Sequence, residues 1–389
     1  MMNKPRTIVF VYNTAEYLVR FRLGLMRAMR RRGWRVVAAA PPDDHSPTIV
    51  AAGIPFVPIP MERKGRNPLA DFRLWWRLLG LYRRERPSIV HHFTVKPVIF
   101  GSFAARVAGI PGIVNSVPGL GYVFLQGGRL RIMVERLYRL AFSPRVQVVF
   151  HNQDDRDFFV RRRMACFGQT HVICGSGVDT EYFAPRFCSE KDSPSSRPAF
   201  ALVARMLWDK GVREFVAAAR ICHQHNPHTR FVLAGTPDPG NPSAVSPGWL
   251  RSLHALGYME WRGHVDDVRP VLAEAAVVVL PSYREGAPRS LIEAASMARP
   301  IIATDVPGCR EVVLPGINGL LVPVMDVAAL AEAMLTLAGD PDLRHRMGQA
   351  GRRRVLLEFA ERRIIRDTIK IYKQLAFQES KGKAGRGSA

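Results

Sequence analysis

The chain has 389 residues, 47% of them hydrophobic and 23% charged, which excludes a single small core and a mainly disordered chain and points to two globular domains. Lysine and arginine number 56 against 33 aspartate and glutamate, a net charge of +23; such a surface seeks polyanions, whether nucleic acid, phosphate-rich ligands or an anionic membrane face, and charge alone does not choose among them. The five cysteines, Cys166, Cys174, Cys188, Cys222 and Cys309, contain no C-x-x-C pair, which fits a reducing cytosol better than a disulfide framework or a zinc site. Residues 7–12 (TIVFVY) read as a first strand, too short for a signal-peptide core. A helix is expected over 18–32, stopped by Gly33, and further strands at 34–40, 54–59, 88–92, 112–116 and 147–150. Residues 186–198, rich in Pro, Ser and charge, read as a linker. Strands then resume at 200–204, 230–234, 259–262, 276–280, 300–303 and 319–322. Short apolar strands separated by helix-length segments predict parallel sheets covered by helices on both faces. The expected fold is therefore α/β, with two Rossmann-like domains, 1–185 and 199–358, facing a central cleft where ligands meet the carboxyl ends of the strands. Residues 359–377, with Ile364, Ile365, Ile369 and Tyr372 at helical spacing, predict a last helix crossing back to the N-terminal domain. Residues 378–389 predict a disordered tail. No apolar run is long enough to span a bilayer, so a soluble or peripheral protein is expected.

The segment richest in chemistry is 281–313, PSYREGAPRSLIEAASMARPIIATDVPGCREVV. A strand ends near Leu280, a glycine-containing loop follows, and Pro288 suits the first helical turn because its missing N–H costs nothing there. The N-terminus of that helix, with its orphan N–H groups and its dipole, attracts phosphate. Glu285 in the loop and Glu293 in the helix are out of place beside phosphate alone; they make sense if each also binds hydroxyls, one of a sugar and one of a ribose. By spacing alone, the same pair fits a surface loop and an amphipathic helix.

The surrounding sequence resembles the donor-site motif of the retaining glycosyltransferases of family 4, which have the two-Rossmann-domain GT-B fold. Its glutamate–seven residues–glutamate pattern is Glu285 and Glu293 here, followed by PIIATDVPGCREVV and GINGLLVP. A second element, ARMLWDKG from Ala204 to Gly211, resembles the family loop whose Arg and Lys bind the donor diphosphate, which implies Arg205 and Lys210. A third, GSGVD from Gly175 to Asp179, resembles an "NGVD" turn with Ser176 in place of Asn. The resemblance implies that Glu285 contacts the donor sugar, that Glu293 holds the ribose, and that backbone N–H groups around Gly286, Ala287, Ser290 and Leu291 meet phosphate. It implies no metal and no cofactor. A cation that meets the charge growing on a departing diphosphate lowers the barrier, and Arg offers phosphate a two-pronged fork.

The N-terminal half resembles bacterial transferases that extend undecaprenyl-diphosphate-linked sugars, N-acetylgalactosaminyltransferases among them. VHHFTVKP (90–97) and NSVPGLGYVF (115–124) carry that likeness, together with Asn13, Thr14, Ala15, Phe21 and Arg22. Acceptor-side candidates are His91, His92, Lys96, Asn115, Gly119 and Tyr122; His151 and Asn152 also end a strand. Many relatives place a donor-sugar histidine after the fifth strand, where this chain has Val117-Pro118-Gly119, so that role is unfilled or taken by His91, His92 or Lys96. Residues 71–86 and 129–145 interleave Trp, Leu, Ile and Tyr with Arg, a pattern of amphipathic helices that pack on their own sheet and present a basic, aromatic rim to an anionic membrane. No nucleic-acid module stands out, and nucleic acid is not an expected partner. The expected activity is retaining transfer of a hexose or N-acetylhexosamine from a UDP-sugar to a polyprenyl-diphosphate-linked saccharide, in cell-surface polysaccharide, lipopolysaccharide or glycan assembly. The expected place is the cytoplasm, peripheral on the inner face of the cytoplasmic membrane. Two other readings stay open: a UDP-sugar epimerase of the same fold, and a basic binding protein without catalysis.

Overall fold

The structure, a computed structural model, describes residues 5–62, 67–120, 124, 128–185 and 198–384. By its internal contacts the chain divides into two compact units. The first is Met1–Ser176 with Ile364–Ala389, the second Gly177–Arg363. The expected linker lies outside the described residues apart from Pro198, and the change of unit falls earlier, at Ser176, because the 177–185 segment packs on the second unit.

The first unit contains strands β1 (Thr7–Val11), β2 (Arg35–Ala40), β3 (Phe56–Pro58), β4 (Ile89–Phe93), β5 (Gly112–Val117), β6 (Val146–Phe150) and β7 (Thr170–Val172). They form one parallel sheet in the order β3-β2-β1-β4-β5-β6-β7. Its helices are α1 (Ala15–Arg30), α2 (Ser46–Ala51), α3 (Pro68–Glu85), α4 (Val95–Val107), α5 (Gly128–Ala141) and α6 (Gln153–Arg161). The apolar runs of β1, β4 and β5 are buried throughout, as a strand covered on both faces requires. One face packs on Leu74, Leu78 and Tyr82 of α3, Val98 of α4 and Val134 and Tyr138 of α5. The other packs on Leu18 and Met26 of α1 and Ile49 of α2, together with Ile364, Ile369, Tyr372 and Leu375. Those last four belong to the final helix, Glu361–Ala384. Helical backbone thus continues through 378–384, the first part of the expected disordered tail, because the stretch before Gly385 holds only one glycine among good helix formers. Side-chain caps fix several helix starts: Thr14 accepts from Tyr17 N at 3.1 Å, and Asn152 from Asp155 N at 2.7 Å.

The second unit repeats the plan. Strands β8 (Ala199–Val203), β9 (Arg230–Ala234), β10 (Met259–Trp261), β11 (Val277–Leu280), β12 (Ile301–Thr304) and β13 (Gly319–Val322) form a parallel sheet in the order β10-β9-β8-β11-β12-β13. Between and after them lie α7 (Val212–His225), α8 (Pro247–Ser252), α9 (Arg269–Glu274), α10 (Arg289–Ser296), α11 (Cys309–Val312), α12 (Val327–Gly339) and α13 (Pro341–Arg354); the final helix is α14. Strand order reverses between β1 and β4 in the first sheet and between β8 and β11 in the second. Such reversals open a crevice outside the carboxyl ends of the strands, where ligands bind.

Candidate active site

The loops leaving β8 and β11 flank the reversal of the second sheet, and they carry the predicted cations and the first predicted glutamate. Lys210, at the end of the β8 loop, pairs with Glu285 of the β11 loop. The two loops are stitched by backbone as well: Tyr283 N donates to the Asp209 carbonyl at 2.9 Å, and Ser282 Oγ to the same oxygen at 3.1 Å. Seventy-five residues of sequence separation are bridged because β8 and β11 are neighbours in the sheet. The Glu285 side chain is only 11% exposed, so its carboxylate is held by the ammonium rather than by water.

Arg205 leaves β8 first and pairs instead with Asp238 of the β9 loop, Nη1 to Oδ2 at 2.7 Å. Glu293 sits in the second turn of α10 and accepts from Arg289 Nε at 2.7 Å, one helical turn earlier. Pro288 caps α10 without a side-chain bond. The Leu291 and Ile292 N–H groups both return to the Pro288 carbonyl, at 3.1 and 3.3 Å. The Leu291 side chain is fully buried, so Leu291 serves the core and its N–H serves the helix, not a phosphate. Gly286, Ala287 and Ser290 stay partly exposed around the start of α10. Gly308, with φ of +82°, follows β12 and packs on the β11 loop: a Cβ there would lie 2.6 Å from the Gly286 carbonyl and 2.7 Å from that of Glu285. Only glycine permits both the backbone angle and that approach.

Other groups complete the cluster. Tyr283 Oη donates to Glu214 Oε1 of α7 at 2.8 Å, and burial, reinforced by that carboxylate, pushes its hydroxyl up to about 12. Cys309 is buried beside Glu285 and Lys210, and burial raises its thiol far above the ordinary range, which keeps it neutral and inert. The Arg289–Glu293 pair was readable as an i, i+4 spacing. Asp238, Tyr283 and Glu214 gave no such signal, since strand order alone brings them here. Among the described residues no group of three His, Cys, Asp or Glu side chains is disposed to hold a metal.

The acceptor-side candidates of the first unit separate into two kinds. His91 and His92 are successive residues of β4, so they point to opposite faces of the sheet. His91 bonds to Tyr372 Oη of α14 at 2.5 Å through Nδ1 and to Ser116 Oγ at 2.8 Å through Nε2. His92 bonds to Asn115 Oδ1 at 2.8 Å through Nδ1 and to Tyr82 Oη at 2.8 Å through Nε2. Asn115 passes the chain on to Ser102 Oγ at 2.8 Å. Gly101 of α4 makes room for this: a Cβ there would lie 2.6 Å from the His92 ring. Both imidazoles are at most 1% exposed. Burial holds His91 well below its ordinary value, with Arg22, His92 and His151 adding to the effect, and it holds His92 at about 4 against the pull of Asn115. His91, His92 and Asn115 therefore form a saturated core network, which corrects their reading as acceptor contacts. His151 is likewise buried, held at about 3 by burial and by Arg22, and Asn152 caps α6.

Lys96 and Gly119 differ. Lys96 lies in the first turn of α4, partly exposed and paired with Asp71 Oδ1 at 2.6 Å, and Gly119 is partly exposed just beyond β5. Tyr122 lies outside the described residues. The residue between His92 and Lys96 that sequence reasoning passed over is Thr94. It follows β4 at the reversal of the first sheet with φ of +68°, a costly angle for a β-branched residue.

The exposed faces of α3 and α5 carry apolar and basic side chains. Leu69, Phe72 and Trp76 of α3 and Ile132, Met133 and Leu140 of α5 are each more than half exposed. Arg73, Arg77, Arg83 and Arg84 on α3, and Arg129, Arg136 and Arg139 on α5, are exposed among them. Both helices pack against α4, so both cover the same face of the first sheet. No helix among the described residues is long and apolar enough to cross a membrane.

Two family models match the chain: "Glycosyl transferase 4-like" over residues 7–153 and "Glycosyl transferases group 1" over residues 197–340. The chain is 26% identical over 381 residues to N,N'-diacetylbacillosaminyl-diphospho-undecaprenol alpha-1,3-N-acetylgalactosaminyltransferase of Campylobacter jejuni, spanning 94% of this chain and 98% of that protein. It is 26% identical over 281 residues to UDP-Gal:alpha-D-GlcNAc-diphosphoundecaprenol alpha-1,3-galactosyltransferase of Escherichia coli, 70% of this chain and 72% of that one. Among solved structures, sucrose-phosphate synthase from Thermosynechococcus elongatus is similar with a TM-score of 0.79 at 21% identity, covering 96% of this chain and 100% of that one. Anabaena Alr3699/HepE in complex with UDP has a TM-score of 0.78 at 16% identity, over 95% and 100%. Each unit is matched by its own family model, both sheets have the doubly wound order, and the chain belongs to the group 1, family 4-like glycosyltransferases of the GT-B fold.

Proposed function

We propose that this glycosyltransferase moves a hexose or N-acetylhexosamine, with retention of configuration, from a UDP-sugar to a polyprenyl-diphosphate-linked saccharide. The observation that carries the donor half is the meeting of Lys210 and Glu285 across the β8–β11 reversal, with the start of α10 beside them. Departure of the nucleotide breaks the bond between the anomeric carbon and the diphosphate and leaves negative charge on the diphosphate, while the acceptor hydroxyl oxygen bonds to that carbon and gives up its proton to the departing diphosphate. Arg205, Lys210 and the dipole of α10 meet that charge. Glu285, steadied by Lys210, accepts hydrogen bonds from the sugar hydroxyls, and Glu293, steadied by Arg289, accepts from the ribose. The acceptor half rests on the two relatives, whose names specify diphospho-undecaprenol sugars and, for one, a UDP-linked donor. The exposed rims of α3 and α5 suit a lipid-borne acceptor, since an apolar and arginine-rich face binds anionic bilayers. That reading puts the enzyme on the inner face of the cytoplasmic membrane.

The deciding assay is UDP release from a panel of UDP-sugars, with and without membrane-extracted lipid-linked saccharide. Release that needs one sugar and the lipid fraction supports the proposal. Interconversion of the sugar without lipid would make the protein an epimerase, and no turnover of any UDP-sugar by folded protein would point to a different nucleotide, a missing acceptor or a non-catalytic role.

A further inference from the structure

We infer that Asp238 is a positioning residue of this site: it aims the Arg205 guanidinium at the departing diphosphate without touching the donor itself. The inference rests on the proposed role of Arg205. Their bond of 2.7 Å joins unequal partners, since the Asp238 side chain is 13% exposed and that of Arg205 48%. The carboxylate is thus the fixed, inner member, and the cation is the outer one that a ligand can reach. The chain around Asp238 is stiff. Pro237 and Pro239 flank it, and they restrict both their own φ and the backbone of the residue between them. Asn241 N donates to the Asp238 carbonyl at 3.0 Å.

The same β9 loop is sewn to the β8 loop along its length. Met206 N donates to the Thr236 carbonyl at 2.9 Å, Trp208 N to that of Ser243 at 2.7 Å, and Val245 N returns to Met206 at 3.0 Å. Leu207 and Ala244 form an antiparallel bridge. Asp209 N donates to Ser243 Oγ at 3.1 Å, and that hydroxyl donates to the Asp209 carboxylate. From Asp209 the chain of bonds runs on to Tyr283 and Ser282, beside Glu285. One rigid loop therefore sets both cations of the site, Arg205 directly through Asp238 and Lys210 through Ser243 and Asp209.

A carboxylate so placed has two opposed effects on an anionic ligand. Its charge offsets part of the Arg205 charge, so it adds nothing to ground-state affinity for the nucleotide. Its geometry holds the fork where charge grows during departure, which acts on turnover. A residue that merely folded the loop would raise KM and lower Tm together.

The test uses the full-length protein, calorimetry with UDP, and turnover of the UDP-sugar selected by the panel above. Asp238→Asn keeps the shape of the side chain and is expected to fold; Asp238→Ala is the second variant. Each should lower kcat about tenfold, with affinity for UDP unchanged or tighter, and the loss should shrink below about twofold in an Arg205→Ala background, because coupled residues are not additive. A kcat within about twofold of the parent, or an equal loss in both backgrounds, overturns the inference. Weaker UDP binding together with a lower Tm also overturns it, assigning Asp238 to loop folding. Normal turnover in Arg205→Ala alone would sink the underlying role of Arg205, an outcome distinct from a defective Arg205→Ala beside a normal Asp238→Asn.

Discussion

The two units share a sheet plan, yet they treat polar residues near their strand reversals in opposite ways. In the first unit His91, His92 and Asn115 lie within strands, their polar atoms bonded to Tyr372, Ser116, Tyr82 and Ser102. In the second, Arg205, Lys210 and Glu285 lie two to seven residues past the strands β8 and β11, in loops that remain partly open. A polar residue inside a doubly covered strand must find partners in the core, or it costs more than it returns. A polar residue just beyond the strand end is free to answer a ligand. The few residues that separate these two positions decide which is structure and which is chemistry.

The largest effect expected from this contrast is at Arg205. Arg205→Ala should lower kcat by about two orders of magnitude, the scale for removing one charge-stabilising donor. Pre-steady-state turnover at saturating UDP-sugar measures it, and a rate within a factor of three of the parent would place the charge compensation elsewhere.

The counterpart in the first unit is a stability effect with a definite pH sign. His92 is held at about 4 against an ordinary 6.5, so the unfolded chain binds the proton first as pH falls. The contribution is fully present above pH 6.5 and is lost progressively as pH falls, the loss reaching about 3 kcal/mol at pH 4. His151, held at about 3, acts in the same direction. Urea midpoints at pH 7, 5.5 and 4 should therefore fall steadily. A midpoint that holds or rises on acidification would mean that these rings are not buried in neutral form.

Next in size is Glu293. Glu293→Gln removes a charged acceptor from α10 while keeping the helix, and it should raise the donor KM about tenfold with little change in kcat, since the ribose is held alike in ground and transition states. An equal fall in kcat would move Glu293 from nucleotide binding to the reacting centre.

Much of this was legible in the sequence, and the remainder was hidden for physical reasons. Twelve strands follow from apolar, β-branched runs of the right length. The one missed, Thr170–Val172, is a three-residue edge strand that is only half buried, so it lacks the hydrophobic run that gave the others away. Pro288, expected in the first helical turn, stands one position earlier as the N-cap of α10. The cations and the paired glutamates were found through a resemblance, and spacing alone did not distinguish them from surface charge. Asp238 was invisible, since it sits 33 residues from Arg205 and meets it only because β9 lies beside β8. The histidines of β4 misled because "strand end" was read one residue too generously. The strand runs to Phe93, and Thr94 is the residue that turns the corner.

The smallest expected effect concerns α3, a helix of the first unit that leaves large apolar groups uncovered. A helix on a sheet normally hides its large apolar side chains, as α3 does with Leu74, Leu78 and Tyr82. Leaving Leu69, Phe72 and Trp76 outside, among arginines, gains nothing for folding and suits a bilayer interface. Each of Arg73, Arg77, Arg83 and Arg84 should contribute about 1 kcal/mol on an anionic surface, so any single Arg→Gln change weakens binding to phosphatidylglycerol vesicles about fivefold. The loss should vanish on neutral phosphatidylcholine vesicles and shrink as salt rises. Arg205→Ala, in the other unit, should leave vesicle binding unaltered. If Arg205→Ala weakens it as much as Arg77→Gln does, the attraction belongs to the net charge of the whole chain and not to the rim of α3.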